Sequence, residues 1–164
     1  MNGATEARPA AVQRFIAVPL ATGLGSGFSR WAPGTVGTVF PGLPLAWGLA
    51  ALSPWAGLAA AFPLFLCGWW AAGVCEKVYT RKDPQVVVID EVVGLLLASA
   101  YLPPEWPYQF GAFAAFRLFD ILKPWPARTI DRRCPGGLGV MLDDVVAGLY
   151  ARLAVSGCAW LLLL

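Results

Sequence analysis

Histidine is absent from all 164 residues. That excludes every mechanism needing an imidazole: the Ser-His triad, a phosphohistidine intermediate and His-ligated zinc. Charge is scarce, at 13% of residues against about 25% in an ordinary soluble domain. Twelve basic and ten acidic residues nearly cancel, and no basic stripe interleaves with aromatics, so a nucleic-acid partner is not expected. The four cysteines, Cys67, Cys75, Cys134 and Cys158, show no CxxC spacing and read as reduced thiols. No short apolar stretch with a small-residue cleavage site follows the polar first 14 residues, so no cleaved signal peptide is expected. The glycine-rich stretch near the N-terminus lacks the lysine of GxxxxGK[ST] and any strand before it, which argues against nucleotide binding.

What the chain has instead is apolar length. Hydrophobic residues make up 58% of it, a membrane composition. No Ser/Gly-rich or charged linker divides it, so residues 1–164 read as a single domain with 1–14 flexible. From Trp31 to Cys75 there is no charged residue. That is room for two spans of roughly 20 residues, with Ser53-Pro54 as the turn of a helical hairpin. A second apolar block, Val92 to Phe116, is broken by PPEWP at 103–107. Its arms span only if they also take in Val86 to Asp90 and Arg117 to Asp120. A last helix is expected from about Val145 to Leu164. The fold class is therefore all-α: an integral membrane bundle of about four to five membrane-associated helices.

The basic residues cluster at Arg8 to Arg30, Lys77 to Lys82 and Arg117 to Arg133. A cytoplasmic N-terminus places all three clusters on the cytoplasmic side, leaving Glu105 outside. Arg152 is the exception. It lies on one stripe with Asp144 and Gly148, so it can face the bundle rather than lipid.

Apart from Glu6 and Glu105, every acid falls in or beside the cytoplasmic segments: Glu76, Asp83, Asp90, Glu91, Asp120, Asp131, Asp143 and Asp144. Two stretches echo each other. VIDEVVGLLLA (88–98) and MLDDVVAGLYA (141–151) each read apolar pair, two carboxylates, Val-Val, glycine, apolar helix. One acid per helix is explained by capping and the helix dipole. A second adjacent acid on both helices is harder to explain that way, because crowded like charges repel. A bound hard cation such as Mg²⁺ relieves that repulsion.

FRLFDILKPWP (116–126) places Arg117, Asp120 and Lys123 three residues apart on a helix that Pro124 ends. The stripe offers an acid for a metal beside two cations for a phosphate, or else an interfacial helix end with snorkelling basic groups. GLGSGFSRWAPGTVGT (23–38) is a tight loop or an anion site, with Thr35 or Thr38 as the N-cap of the helix that follows. Cys75 and Arg81 match the C-x5-R spacing of cysteine phosphatases. Glu76 follows the thiol directly and no glycine lies between, which argues against a phosphate-wrapping loop.

Taken together, APGTVGT (32–38), DPQVVVIDEVVG (83–94), FRLFDILKPWP (116–126) and DRRCPGGLGVMLDDVVAG (131–148) resemble the phosphatidylglycerophosphatase A family, in order and over about two thirds of the chain. The resemblance implies a Mg²⁺-dependent, all-helical enzyme of the bacterial cytoplasmic (inner) membrane. Such an enzyme removes the terminal phosphate of phosphatidylglycerophosphate, with bilayer lipid around it. The matching motif residues are Thr35, Thr38, Asp83, Asp90, Glu91, Arg117, Asp120, Lys123, Asp131, Asp143 and Asp144. The expected metal set is Asp90, Glu91, Asp143 and Asp144 with Asp120 or Asp131, and Asp83 is a further candidate. Arg117 and Lys123 are expected on the phosphate, with the 34–38 loop, Thr35 and Thr38 included, as an added donor set. A small ion transporter using the paired acids and a phosphatase with Cys75 as nucleophile are the alternatives.

Overall fold

In the computed structural model the described residues, 9–161, form helices and turns with no strand among them. The first helix, α1 (Ala11–Ala21), buries Ala17 and Ala21 and leaves Val12, Phe15 and Ile16 exposed. Ala11 to Arg14, expected to be flexible, are therefore helical, because the apolar residues of 12–17 recur at helical spacing. Residues 1–8 lie outside the described residues.

The uncharged run folds as the hairpin its length predicts. Its first arm begins at Pro33, a residue suited to a first helical position. It continues through α2 (Pro33–Gly37), a π-helical turn (Thr38–Gly42) and α3 (Leu43–Leu52). Pro41 lies in that wider turn, where its missing N–H and its ring interrupt an α-helical ladder. Ser53 to Trp55 reverse the chain into α4 (Ala56–Tyr79). Both arms, 20 and 24 residues long, are apolar enough to cross a membrane. Only 28% and 33% of their apolar windows are buried, so they turn most of that surface outward, unlike the core helices of a soluble protein.

The remaining helices are α5 (Ile89–Ser99), α6 (Trp106–Leu122), α7 (Ala127–Arg133) and α8 (Gly136–Leu161). With 11 residues, α5 is about 16 Å long, too short to cross a hydrocarbon core of about 30 Å. Val86 to Val88, needed to lengthen it, are not helical. Instead α5 is the buried centre: Val92, Val93, Leu95, Leu96 and Ala98 are all enclosed. The longer α6 does include Arg117 to Asp120.

The last helix begins nine residues earlier than the expected Val145, at Gly136. Glycines usually weaken a helix, but here the packing requires them. A Cβ on Gly137 would stand 2.3 Å from the Trp69 carbonyl oxygen and 2.5 Å from the Gly73 nitrogen, so α8 lies directly on α4. From that start α8 packs in turn against α4, α5, α6 and α7.

The tightest crossing is between α5 and α8. A Cβ on Gly148 would lie 2.3 Å from the Gly94 carbonyl oxygen, and one on Gly94 would lie 2.3 Å from the Phe116 ring and 2.8 Å from the Asp144 carbonyl oxygen. Both are the glycines of the echoed motif. Gly148→Val is expected to cost about 1–3 kcal/mol through overpacking. Gly157→Ala, in open space, is expected to stabilise α8 by up to about 1 kcal/mol. Unfolding midpoints in detergent measure both, and equal midpoints would contradict the close crossing.

Candidate active site

Asp90 and Asp144 each precede a crossing glycine by four residues, one helical turn. The contact between Gly94 and Gly148 therefore carries both acids into one place. They line a cavity of about 280 Å³ together with Asp83, Glu91, Asp120, Asp143, Arg117 and Lys123. Capping does not explain the acids on α8, which lie two turns inside a helix that begins at Gly136. The N-cap of α5 is Val88, which offers no polar side chain, and Asp90 and Glu91 follow in the first turn.

The two cations divide the acids between them. Arg117 Nη1 donates to Asp120 Oδ2 at 2.6 Å and to Glu91 Oε1 at 3.3 Å. Lys123, in left-handed conformation at the end of α6, donates to Asp143 Oδ2 at 2.5 Å and lies 3.5 Å from Asp131 Oδ2. Asp90 and Asp144 have no cation at ion-pair distance among the described residues, though both are buried. Asp90 Oδ1, Glu91 Oε2 and Asp143 Oδ1 are buried with no hydrogen-bond partner, as is Arg117 Nε.

All these acids lie outside the two candidate spans, and burial dominates their chemistry. It pushes Asp90 and Asp144 well above the usual carboxylate range, with the charges of Glu91, Asp83 and Asp143 adding to the effect at Asp90 and those of Asp120, Asp90, Asp143 and Glu91 at Asp144. Burial raises Glu91 to about 8 despite Arg117, and Asp143 to about 6 despite Lys123. Asp83 is raised by burial too. Lys123 loses hydration but is held protonated by Asp143.

Such a set fits a hard cation. Its buried, unpartnered carboxylate oxygens lack the positive partner that their burial demands. Among the described residues no three acids already stand as a closed ligand group. A hard cation held there would take one or two of these carboxylates and complete its shell with water or substrate oxygens.

The structure brings Asp83, Asp90, Glu91, Arg117, Asp120, Lys123, Asp143 and Asp144 to one cavity. Asp131 reaches it only through Lys123. Thr35 and Thr38 take neither expected position. Pro33 starts the helix with Ala32 as its N-cap, so the threonines fall inside the first turns. Thr38 is fully buried and its hydroxyl donates to the Gly34 carbonyl at 2.7 Å. The wall is made instead by Ala32, Pro33 and Gly34. Gly34, inside the expected 34–38 donor loop but not singled out there, is the residue of that loop that reaches the site: a Cβ on it would stand 1.9 Å from Glu91 Oε1 and 3.4 Å from Arg117 Nη1. Its signal was the Pro-Gly pair inside APGTVGT, where backbone must approach closely.

Two other readings are decided. Cys75 is fully buried inside α4, and the residues after it through Tyr79 are helical, so their amides are not free to wrap a phosphate. The four cysteines are free thiols. Arg152, two turns beyond Asp144, leaves the acids and lies 6.0 Å from the Tyr101 ring centroid, half-buried. Its guanidinium donates to Ser156 Oγ.

The model of the family described as "Phosphatidylglycerophosphatase A" matches residues 19–159. A Bacteroides thetaiotaomicron protein named "Putative phosphatidylinositol-3-phosphatase" is 39% identical, covering 90% of this chain and 96% of its own. The phosphatidylglycerophosphatase A of Escherichia coli is 37% identical over 80% of this chain and 77% of its own, and that of Haemophilus influenzae 38% over 83% and 84%. No solved structure matches the chain.

The raised acids set a pH dependence. Between about 4.5 and 8 the folded protein holds more protons at Glu91 than the unfolded chain does. The stability of chelator-treated protein is therefore greatest below that window and falls as pH rises through it. The unfolding midpoint in detergent is expected to drop from pH 5 to pH 8 and to drop less in Glu91→Gln; a flat profile in the wild type would contradict it. The family match over most of the length, with the same motifs lining the cavity, establishes that the chain belongs to the phosphatidylglycerophosphatase A family.

Proposed function

We propose that this protein is a lipid phosphatase that hydrolyses the terminal phosphate monoester of phosphatidylglycerophosphate with the help of Mg²⁺, at the cytoplasmic face of the bacterial inner membrane. The observation that carries this reading is the meeting of two carboxylate pairs, Asp90/Glu91 and Asp143/Asp144, with Arg117 and Lys123 around one cavity. Family membership supports the substrate.

Asp90 and Asp144 would hold the metal, being the buried acids without a cation partner, with Glu91, Asp143 and Asp120 beside them. When bound, Mg²⁺ supplies positive charge to the phosphate oxygens and Lewis acidity toward water. Arg117 and Lys123 hold their neighbouring acids in place, oppose the effect of burial on Glu91 and Asp143, and turn donors toward the phosphate. The unpartnered Nε of Arg117 is one such donor. Water attacks phosphorus as the bond to the glycerol oxygen breaks, giving phosphatidylglycerol and inorganic phosphate. Glu91 or Asp143, in its ionised form, accepts one proton of the attacking water, since each keeps a buried oxygen unpartnered, and the departing glycerol oxygen takes up a proton from solvent. The cavity is small enough that only the headgroup enters it while the acyl chains stay in the bilayer.

Membrane topology follows from the charges. The hairpin arms, the apolar length of α6 and the part of α8 beyond Asp144 form a multi-pass bundle around α5, with the loops rich in Lys and Arg on the cytoplasmic side. At the opposite end lie the Trp47–Trp106 stack, with centroids 5.3 Å apart, and the Trp55–Tyr101 edge contact at 4.6 Å. Aromatics gathered in this way suit the far interface.

Phosphate release from phosphatidylglycerophosphate in mixed micelles is expected to require Mg²⁺ and to fall by about 100-fold or more in Asp90→Asn and in Asp144→Asn. Full activity in either variant would remove the metal site, and activity that survives EDTA but is lost in Cys75→Ser would restore the thiol reading. Glu91→Gln and Asp143→Asn separate the base from its neighbour, because loss of the base removes the acidic limb of the pH–rate profile. Mg²⁺ is expected to raise the unfolding midpoint more at pH 8 than at pH 5, since it replaces the protons lost from the acids; no shift at either pH would count against metal binding. Phosphatidylinositol 3-phosphate, suggested by the Bacteroides relative's name, is the comparison substrate for specificity.

A further inference from the structure

A second cavity, of about 950 Å³, lies between α1, the C-terminal end of α4 and the start of α8, and shares no lining residue with the carboxylate cavity. Four cations line it: Arg14, Lys77, Arg81 and Lys82. Among the described residues one acid lines it with them, Glu76, whose Oε1 already accepts the Asp83 backbone N–H at 3.1 Å. Arg14 spends only its Nε, on the Pro9 carbonyl at 3.2 Å, and the exposed Arg81 guanidinium makes no hydrogen bond among the described residues. Lys82 is turned toward the Asp131 carbonyl. Arg14 and Arg81 therefore present guanidinium N–H groups to the cleft that no acid lining it engages among the described residues.

This cleft continues into an aromatic trough. A neighbouring hollow of about 480 Å³ shares Gly73 and Lys77 with it and is walled by Trp69, Trp70 and Val74. Trp70, Gly73, Val74 and Lys77 recur at i, i+3, i+4 and i+7, so they form one face of α4. Trp70 lies two turns, about 11 Å, from Lys77 toward the middle of a candidate span. Trp69 and Trp70 are 45% and 42% exposed, so their rings are available to apolar chains. Beside the trough, α1 shows Val12, Phe15 and Ile16 outward, as a helix lying at a bilayer surface does.

We propose that this cleft binds the phosphate of an anionic phospholipid, distinct from the lipid being hydrolysed, with its acyl chains lying along the Trp70 face of α4. Arginines match phosphate oxygens in bidentate geometry and lysines supply point charge. A free phosphate would use the cations alone, whereas the continuity of basic cleft and aromatic trough along one helix face fits a molecule with a charged head and an apolar tail.

The test uses the full chain in a zwitterionic detergent, titrated with phosphatidylglycerol or phosphatidylcholine carrying brominated acyl chains, with tryptophan quenching as the readout. Phosphatidylglycerol is expected to quench at lower concentration, each arginine contributing about five-fold to the preference. Arg14→Gln/Arg81→Gln abolishes that preference while phosphate release at saturating substrate stays at the wild-type rate. Arg81→Gln alone, at an exposed position, reduces it, so the result does not depend on the double variant folding. Trp70→Phe lowers the quenching amplitude. Lys123→Gln, in the carboxylate cavity, leaves the preference intact and so separates this site from the proposed active site. Equal quenching by the two lipids, a preference that persists without the arginines, its loss in Lys123→Gln, or displacement by inorganic phosphate or glycerol 3-phosphate at equal concentration would each overturn it.

Discussion

The backbone contact between Gly94 and Gly148 is the constraint on which the rest of the site depends. Two helices approach so closely that neither can carry a side chain at the crossing. One turn earlier on each helix sits an aspartate, so the crossing sets the position of Asp90 and Asp144 in the shared cavity. The same logic holds α8 against α4 at Gly137 and Gly73, and sets the hairpin arm beside Glu91 at Gly34. Small residues at helix contacts suit a membrane bundle, where apolar surfaces gain little from mutual burial and van der Waals packing dominates.

That geometry concentrates negative charge where water is scarce. Burying several carboxylates together is unfavourable by several kcal/mol each unless something positive meets them. Arg117 and Lys123 meet four of them, at Glu91, Asp120, Asp143 and Asp131. Asp90 and Asp144 are left unmatched, and both have a raised affinity for a proton, which is the affinity a divalent cation can replace. The protein thus carries a local electrostatic deficit in this cavity, one that the packing around it has to outweigh.

Much of this was legible before the fold was known. The uncharged run from Trp31 to Cys75 required a hairpin, and the Ser53-Pro54 turn fell where expected, because length and apolarity alone decide such a segment. The echo of VIDEVVG and LDDVVAG pointed to the acids, whereas the crossing at its glycines emerged only with the fold. Thr35 and Thr38 misled because a threonine before an apolar run looks like an N-cap, while Pro33 had already started the helix. The start of α8 was misplaced because glycine propensity argues against a helix, and the close contact with α4 overrides propensity.

What the sequence by itself determined is the chemistry available: no imidazole, two carboxylate pairs, an Arg-Asp-Lys stripe and enough apolar length for a membrane. Composition and spacing suffice for those, since they concern which groups exist and which face of one helix they share. Only the tertiary structure decided which acids meet which cations, leaving Asp90 and Asp144 unpaired, and that Arg152 leaves the acids for Tyr101. It also decided that Arg14 of α1 meets the Lys77 to Lys82 cluster around one cleft. Those outcomes depend on the distance of closest approach between helices far apart in the chain, a quantity that spacing along one helix does not contain.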